Sequence, residues 1–138
     1  MPPLITLAVL CKRISQDDDG LFTLHGLADS IILLDETGPL YLFGVVWLLP
    51  QESGDALIRA VVLSPSGEKA SNEYRPALRL EAGIPKKLNF EFAVEPYEEG
   101  LYWFVVEVGQ ETVARFPLGV RWAPDSAQAR RQKPPGQR

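Results

Sequence analysis

The sequence predicts an all-β protein: a single antiparallel β-sandwich of about eight strands, followed by a disordered C-terminal tail. Three observations carry that expectation. Leu88, Phe90, Phe92 and Val94 alternate with Lys87, Asn89, Glu91 and Ala93, the period-2 pattern of a strand with one packed and one wet face. Turn-forming clusters such as Asp19-Gly20, Gly38-Pro39 and Ser64-Pro65-Ser66-Gly67 punctuate the apolar runs at intervals of about 10–15 residues. Finally, Tyr102, Phe104, Val106 and Val108 share one side of a β-rich run that Gly109-Gln110 reverses into residues 112–122.

The elements follow in order. Residues 4–14 form a first strand, closed by an acidic turn whose Asp19-Gly20 end is a hairpin signal. Residues 21–34 form the second, kinked near Gly26, because glycine inside a strand marks a bulge. The third, 41–49, lies between Pro39 and Pro50 and is apolar at almost every position. Residues 56–63 are the fourth, and 73–80 a weaker fifth that Pro76 assigns to an edge. Residues 87–94, 101–108 and 112–122 complete the set, with Pro117 leaving one side of the last strand unpaired.

At 138 residues the chain holds one core, so residues 1–122 are expected as one β-sandwich domain and 123–138 as a basic, Pro/Arg-rich tail. The tail has no large apolar residue to bury, hence the expected disorder. Residues 1–122 carry ten basic and seventeen acidic residues, a net of −7, while the tail adds Arg130, Arg131, Lys133 and Arg138 against Asp125, a net of +3. An acidic body disfavours nucleic acid, and the tail has the charge to contact an acidic surface. The single cysteine, Cys11, excludes an internal disulfide and leaves no Cys-Cys or Cys-His spacing for zinc, which favours a reducing, cytoplasmic setting. Residues 1–11 are apolar but lack a basic leader and cleavage site, and no run reaches the roughly 18 residues of a membrane helix.

Glu98-x-Gly100-x-Tyr102-x-Phe104 is similar to the tyrosine corner of immunoglobulin domains, with Phe104 in place of their cysteine. That likeness implies a hydroxyl bonded to upstream backbone and implies no immunoglobulin activity. The ordered set Leu10-Cys11, Asp19-Gly20, Gly26-Leu27-Ala28-Asp29, Pro65-Ser66-Gly67 and Gly100-Leu101-Tyr102-Trp103-Phe104 resembles a family of small uncharacterised bacterial β-sandwich proteins. The resemblance spans most of residues 4–120 and implies a fold without an assigned activity.

Candidate chemistry is sparse. His25 is the only histidine, and its local partners would be Cys11 and Asp29 in a nucleophile arrangement. The hairpin register expected from Asp19-Gly20 sets Cys11 and His25 several rungs apart, which favours a structural thiol. Asp17, Asp18 and Asp19 with Asp35 and Glu36 offer oxygen ligands for calcium if their loops meet, although Asp-x-Asp-x-Asp-Gly spacing is missing. Solvated turns are the plainer reading. No phosphate-binding glycine loop and no Gly-x-Ser-x-Gly elbow is present.

An apolar surplus stands out above this background. If Tyr41, Phe43, Val45 and Trp47 point inward, Leu42, Val46 and Leu48 point out, and immunoglobulin-like connectivity would set them beside Trp103 and Val105. The expected result is an exposed patch of Leu42, Val46, Leu48, Trp103 and Val105 rimmed by Arg59 and Arg115. Such a patch marks a partner surface, a two-fold homodimer or another protein, unless the chain covers it or the register shifts by one. The expected function is therefore a non-enzymatic protein-interaction module without a cofactor. The alternative is a ligand- or calcium-binding sandwich using loops 17–19 and 35–36.

Overall fold

The computed structural model describes residues 2–28, 31–34 and 38–123. Among them the chain is all β: β1 (Leu4–Gln16), β2 (Phe22–Leu27), β3 (Ile31–Leu34), β4 (Leu40–Leu49), β5 (Gly54–Leu63), β6 (Ala77–Leu80), β7 (Lys86–Val94), β8 (Gly100–Val108) and β9 (Glu111–Trp122). They form two sheets, ordered β2-β1-β4-β7 and β3-β9-β8-β5-β6, which face each other as a sandwich. The second expected strand is in fact two. β2 stays antiparallel to β1, whereas β3 crosses to the other sheet and runs parallel to β9. The 123–138 tail lies almost wholly outside the described residues.

Alternation fixes which side chains meet between the sheets. Phe90, Phe92 and Val94 of β7 and Tyr102, Phe104 and Val106 of β8 all point into the core, as their spacing predicts. Phe92 and Phe104 stack edge to face at 5.4 Å, and Tyr74 closes on Phe92 at 5.7 Å. Tyr102 completes the corner: its hydroxyl donates to the Glu98 carbonyl at 2.8 Å and accepts the Glu98 N–H at 3.2 Å. Burial pushes that phenol's pKa up, since an unionised hydroxyl is the form a dry site tolerates.

β4 departs from expectation in face and in neighbours. Leu42, Val46 and Leu48 are buried in the core, not exposed, and the outward row is Tyr41, Phe43, Val45 and Trp47. Gly44 sets this parity. A Cβ there would lie 2.7 Å from Phe92 Cε2 and 2.8 Å from Phe104 Cζ, so only glycine fits at the closest approach of the two sheets. β4 pairs with β1 and β7, and β8 pairs with β5 and β9. The third and seventh expected strands therefore lie in opposite sheets.

The middle of β4's outward row is itself covered, although Tyr41 and Trp47 near its ends are exposed. Val45 is 1% exposed and its neighbour Cys11 is fully buried, yet both lie outside the inter-sheet cluster. The β1–β2 hairpin supplies the cover by doubling back. Lys87 Nζ lies 2.8 Å from the Phe22 ring centroid and 6.0 Å from the Trp47 ring, although along β1 the Phe22 rung is far from the Trp47 rung. Ile14, Phe22 and Leu24 are half-buried, while Arg13, Ser15 and Thr23 on the opposite side are exposed. Gly26, at φ +67°, supplies the left-handed backbone in the returning strand, and a Cβ there would press on Lys12 Cβ at 3.0 Å.

Candidate functional site

The residues expected to form one apolar patch fall on two sides of the molecule. Leu42, Val46 and Leu48 are core residues of the four-stranded sheet. Trp103, Val105, Arg59 and Arg115 share the outer face of the five-stranded sheet, where Val105 opposes Arg115 and Arg59 opposes Glu107. That face is closed by charge. The Arg115 guanidinium lies 4.5 Å from the Trp103 ring centroid, and Val105 is only 4% exposed.

Beside it a network radiates from Glu73. Arg59 Nε and Arg75 Nε each reach a Glu73 oxygen at 2.7 Å, Lys69 Nζ lies at 3.6 Å, and Arg59 also reaches Glu107 at 3.3 Å. Arg75 first and Arg59 second hold the Glu73 carboxyl down at about 2. The arginine fork is thus saturated by its own chain.

The nucleophile arrangement does not assemble either. Cys11 pairs with Leu27, and His25 pairs with Arg13, so the two are only two residues out of register, closer than expected. Even so, His25 Nε2 bonds the Ser15 hydroxyl at 2.8 Å, and burial pushes the Cys11 thiol pKa up, away from the reactive thiolate. Asp29 lies outside the described residues. Of the calcium loops, Asp35 and Glu36 also lie outside. Asp17 Oδ1 is already taken by the Asp19 and Leu21 N–H groups, at 3.0 and 2.8 Å, as a turn-stabilising acceptor. Among the described residues no group of His, Cys, Asp or Glu is placed to hold a metal ion, and no helix is long and apolar enough to cross a membrane.

What the fold does build is a groove where the hairpin tip meets the outer face of the four-stranded sheet. Gly20, Leu21 and Phe22 form one wall, Trp47 and Thr6 the floor, and Pro85, Lys86 and Lys87 the other wall, around a volume of about 540 Å³. Thr6 fastens the floor by donating to the Trp47 carbonyl at 3.1 Å. Trp47 is 37% exposed and Leu21 66%. Among the described residues, neither Lys86 nor Lys87 has a carboxylate partner. The sequence pointed elsewhere because an apolar run like β4 has no alternation to identify its outer face; Gly44 was the one residue that could have done so.

No family model matches the chain, and no curated protein is similar to it. Among solved structures, a glycosyl hydrolase family 2 member from Bacteroides cellulosilyticus is similar over 64% of this chain and 14% of its own, with TM-score 0.50 and 9% identity. A second crystal structure of such a member from that organism gives the same values over 13% of its length. An alkylpurine DNA glycosylase from Pseudomonas fluorescens, bound to DNA containing an abasic site analogue, is similar over 66% of this chain and 27% of its own, with TM-score 0.46 and 16% identity. The chain thus spans a small part of each of these proteins, and the likeness to the hydrolases extends to the sandwich fold alone.

Proposed function

We propose that the protein is a non-enzymatic protein-interaction module whose contact surface is the groove between the β1–β2 hairpin tip and the Trp47 end of β4. The observation that carries this reading is the exposure of Trp47 and Leu21 in one concavity, beside two lysines without carboxylate partners. A large aromatic in a groove rimmed by charge is the composition of an interface anchor, and each such residue contributes more to binding than its share of area. The buried thiol of Cys11 and the Ser15-bonded His25 support a binding role over covalent catalysis.

Site-specific photo-crosslinking in the expressing cell tests the reading. A photoreactive phenylalanine at Leu21 is expected to capture a discrete adduct that disappears when Trp47→Glu is added. The control position is Leu57, 49% exposed on β5 of the other sheet. Equal capture from Leu57, or capture indifferent to Trp47→Glu, would overturn the assignment.

A further inference from the structure

The strand that carries Lys87 is an edge whose open side is plugged over one half and bare over the other. Among the described residues β7 pairs only with β4, through the register Leu48↔Lys86, Val46↔Leu88, Gly44↔Phe90 and Leu42↔Phe92. In an antiparallel pair, alternate residues turn their N–H and C=O toward the neighbour and the rest turn away. The outward-turned set is identified by its partners. The Glu91 carbonyl accepts from Asn72 Nδ2 at 3.1 Å and from the Tyr74 hydroxyl at 2.6 Å, and the Ala93 N–H donates to Asn72 Oδ1 at 2.9 Å. Glu95 N–H continues the seal by donating to the Ala70 carbonyl at 2.7 Å. An asparagine amide, one donor and one acceptor on a short stem, here substitutes for a missing strand.

Residues 87 and 89 have the same parity, so their N–H and C=O groups also point off the sheet. Among the described residues nothing bonds them, and both residues are exposed. This bare stretch adjoins the groove, because Lys87 belongs to both. An unpaired edge beside a pocket for side chains is the arrangement that receives an added strand: backbone bonds hold it and the pocket selects it.

Charge selects among occupants. Residues 1–122 are acidic overall, yet this edge begins with Lys86 and Lys87. The chain's own 123–138 segment is basic and is repelled there, and a second copy pairing two-fold about Leu88 would bring two Lys87 side chains within a diagonal of each other. Glu91 further along, and Asp17 to Asp19 at the hairpin tip, confine a favourable negative charge to the Lys86–Lys87 end.

We propose, building on the interaction-module reading, that β7 receives an extended segment of another protein as an additional strand at Lys87 and Asn89. That segment carries an acidic side chain against Lys87 and an apolar one toward Trp47, both on the face those two residues share. It is recognised by backbone hydrogen bonds first and by the groove second.

The probe is a capped octapeptide, Thr-Val-Thr-Glu-Thr-Val-Thr-Glu, whose valines and glutamates share one face as Trp47 and Lys87 do, titrated into the full chain and followed by amide chemical shifts. Shifts are expected at residues 86–90 and at the Trp47 indole, with saturation. Methylating alternate peptide amides, or introducing Asn89→Pro, which removes a donor without breaking a β4 bond, is expected to weaken binding about fivefold or more, the factor for roughly one lost hydrogen bond. Replacing the peptide's glutamates with lysine is expected to abolish binding. Binding unaffected by amide methylation and by Asn89→Pro but lost with Trp47→Ala would overturn strand addition while leaving the groove reading intact. The reverse pattern would uphold the edge and overturn the groove. No shift at millimolar peptide, or a dimer that Asn89→Pro dissolves, would overturn the proposed occupant.

Discussion

Gly44→Ala measures how closely the two sheets approach, and thereby the facing of β4 on which the site depends. The new methyl carbon would lie 2.7 Å from Phe92 Cε2 and 2.8 Å from Phe104 Cζ, distances that real Cβ contacts do not show. Neither ring can simply step aside, since both are fully buried and Phe92 is backed by Tyr74 at 5.7 Å. Overpacking of this kind costs typically 1–3 kcal/mol, and a clash with two held rings belongs near 3. Replacing glycine also restricts the unfolded chain, which returns about 0.5–1 kcal/mol. The net expected loss is about 2 kcal/mol, or roughly 8 °C in Tm for a domain of this size. Urea unfolding followed by tryptophan fluorescence reads it directly, with Tyr41→Ala, on the exposed side of the same strand, expected within about 0.5 kcal/mol of wild type. A Gly44→Ala protein as stable as the Tyr41→Ala protein would refute the packing, and with it the placement of Trp47 on the outside.

Two further expectations concern the supports of the fold. Tyr102→Phe leaves the Glu98 carbonyl and N–H without their shared hydroxyl and is expected to cost about 1–2 kcal/mol in the same urea assay, with the strand register of β8 unchanged by NMR. Glu73, held at about 2 by Arg75 and Arg59, stabilises the fold when ionised; that contribution is complete above the ordinary glutamate value of 4.5 and is lost as pH falls from about 4.5 to about 2. Because Arg75 and Lys69 are more than half exposed, screening reduces it to about 1 kcal/mol, so Glu73→Gln is expected to lose that much at neutral pH and to flatten the wild-type decline below pH 4.5.

Legibility in the sequence tracked how many faces of a strand are apolar. β7 and β8 were readable because polar and charged residues in β7, and the Gly-x-Tyr corner at the start of β8, declare which side is buried. β4, apolar on both faces, declares nothing by period, and its facing follows from the steric demand of two rings against Gly44, a tertiary fact. The break of one expected strand into β2 and β3 was hidden because the weak β formers Ala28-Asp29-Ser30 read as a continuation of the kink at Gly26, and only pairing with β9 moves the second half to the other sheet. The doubling back of the β1–β2 hairpin was equally hidden, since Ile14, Phe22 and Leu24 alternate in the same way whether they cover a sheet or extend it. Of the candidate residues, Arg59, Arg115, Trp103 and Val105 lie on one sheet face, but whether cations cover a face depends on rotamers and cross-strand pairs that composition does not encode. The open edge at Lys87 and Asn89 becomes visible only when Asn72, far away in sequence, is seen to plug its other half.

Amide hydrogen exchange along β7 in the free protein tests the binding edge most directly. The Lys87 and Asn89 amides are expected to exchange orders of magnitude faster than the Leu88 and Phe90 amides that face β4, and the Ala93 amide, though on the same open side, to be protected by Asn72. Uniform protection from Lys87 to Ala93 would mean that the edge is already paired, and a strand-receiving site there would be contradicted.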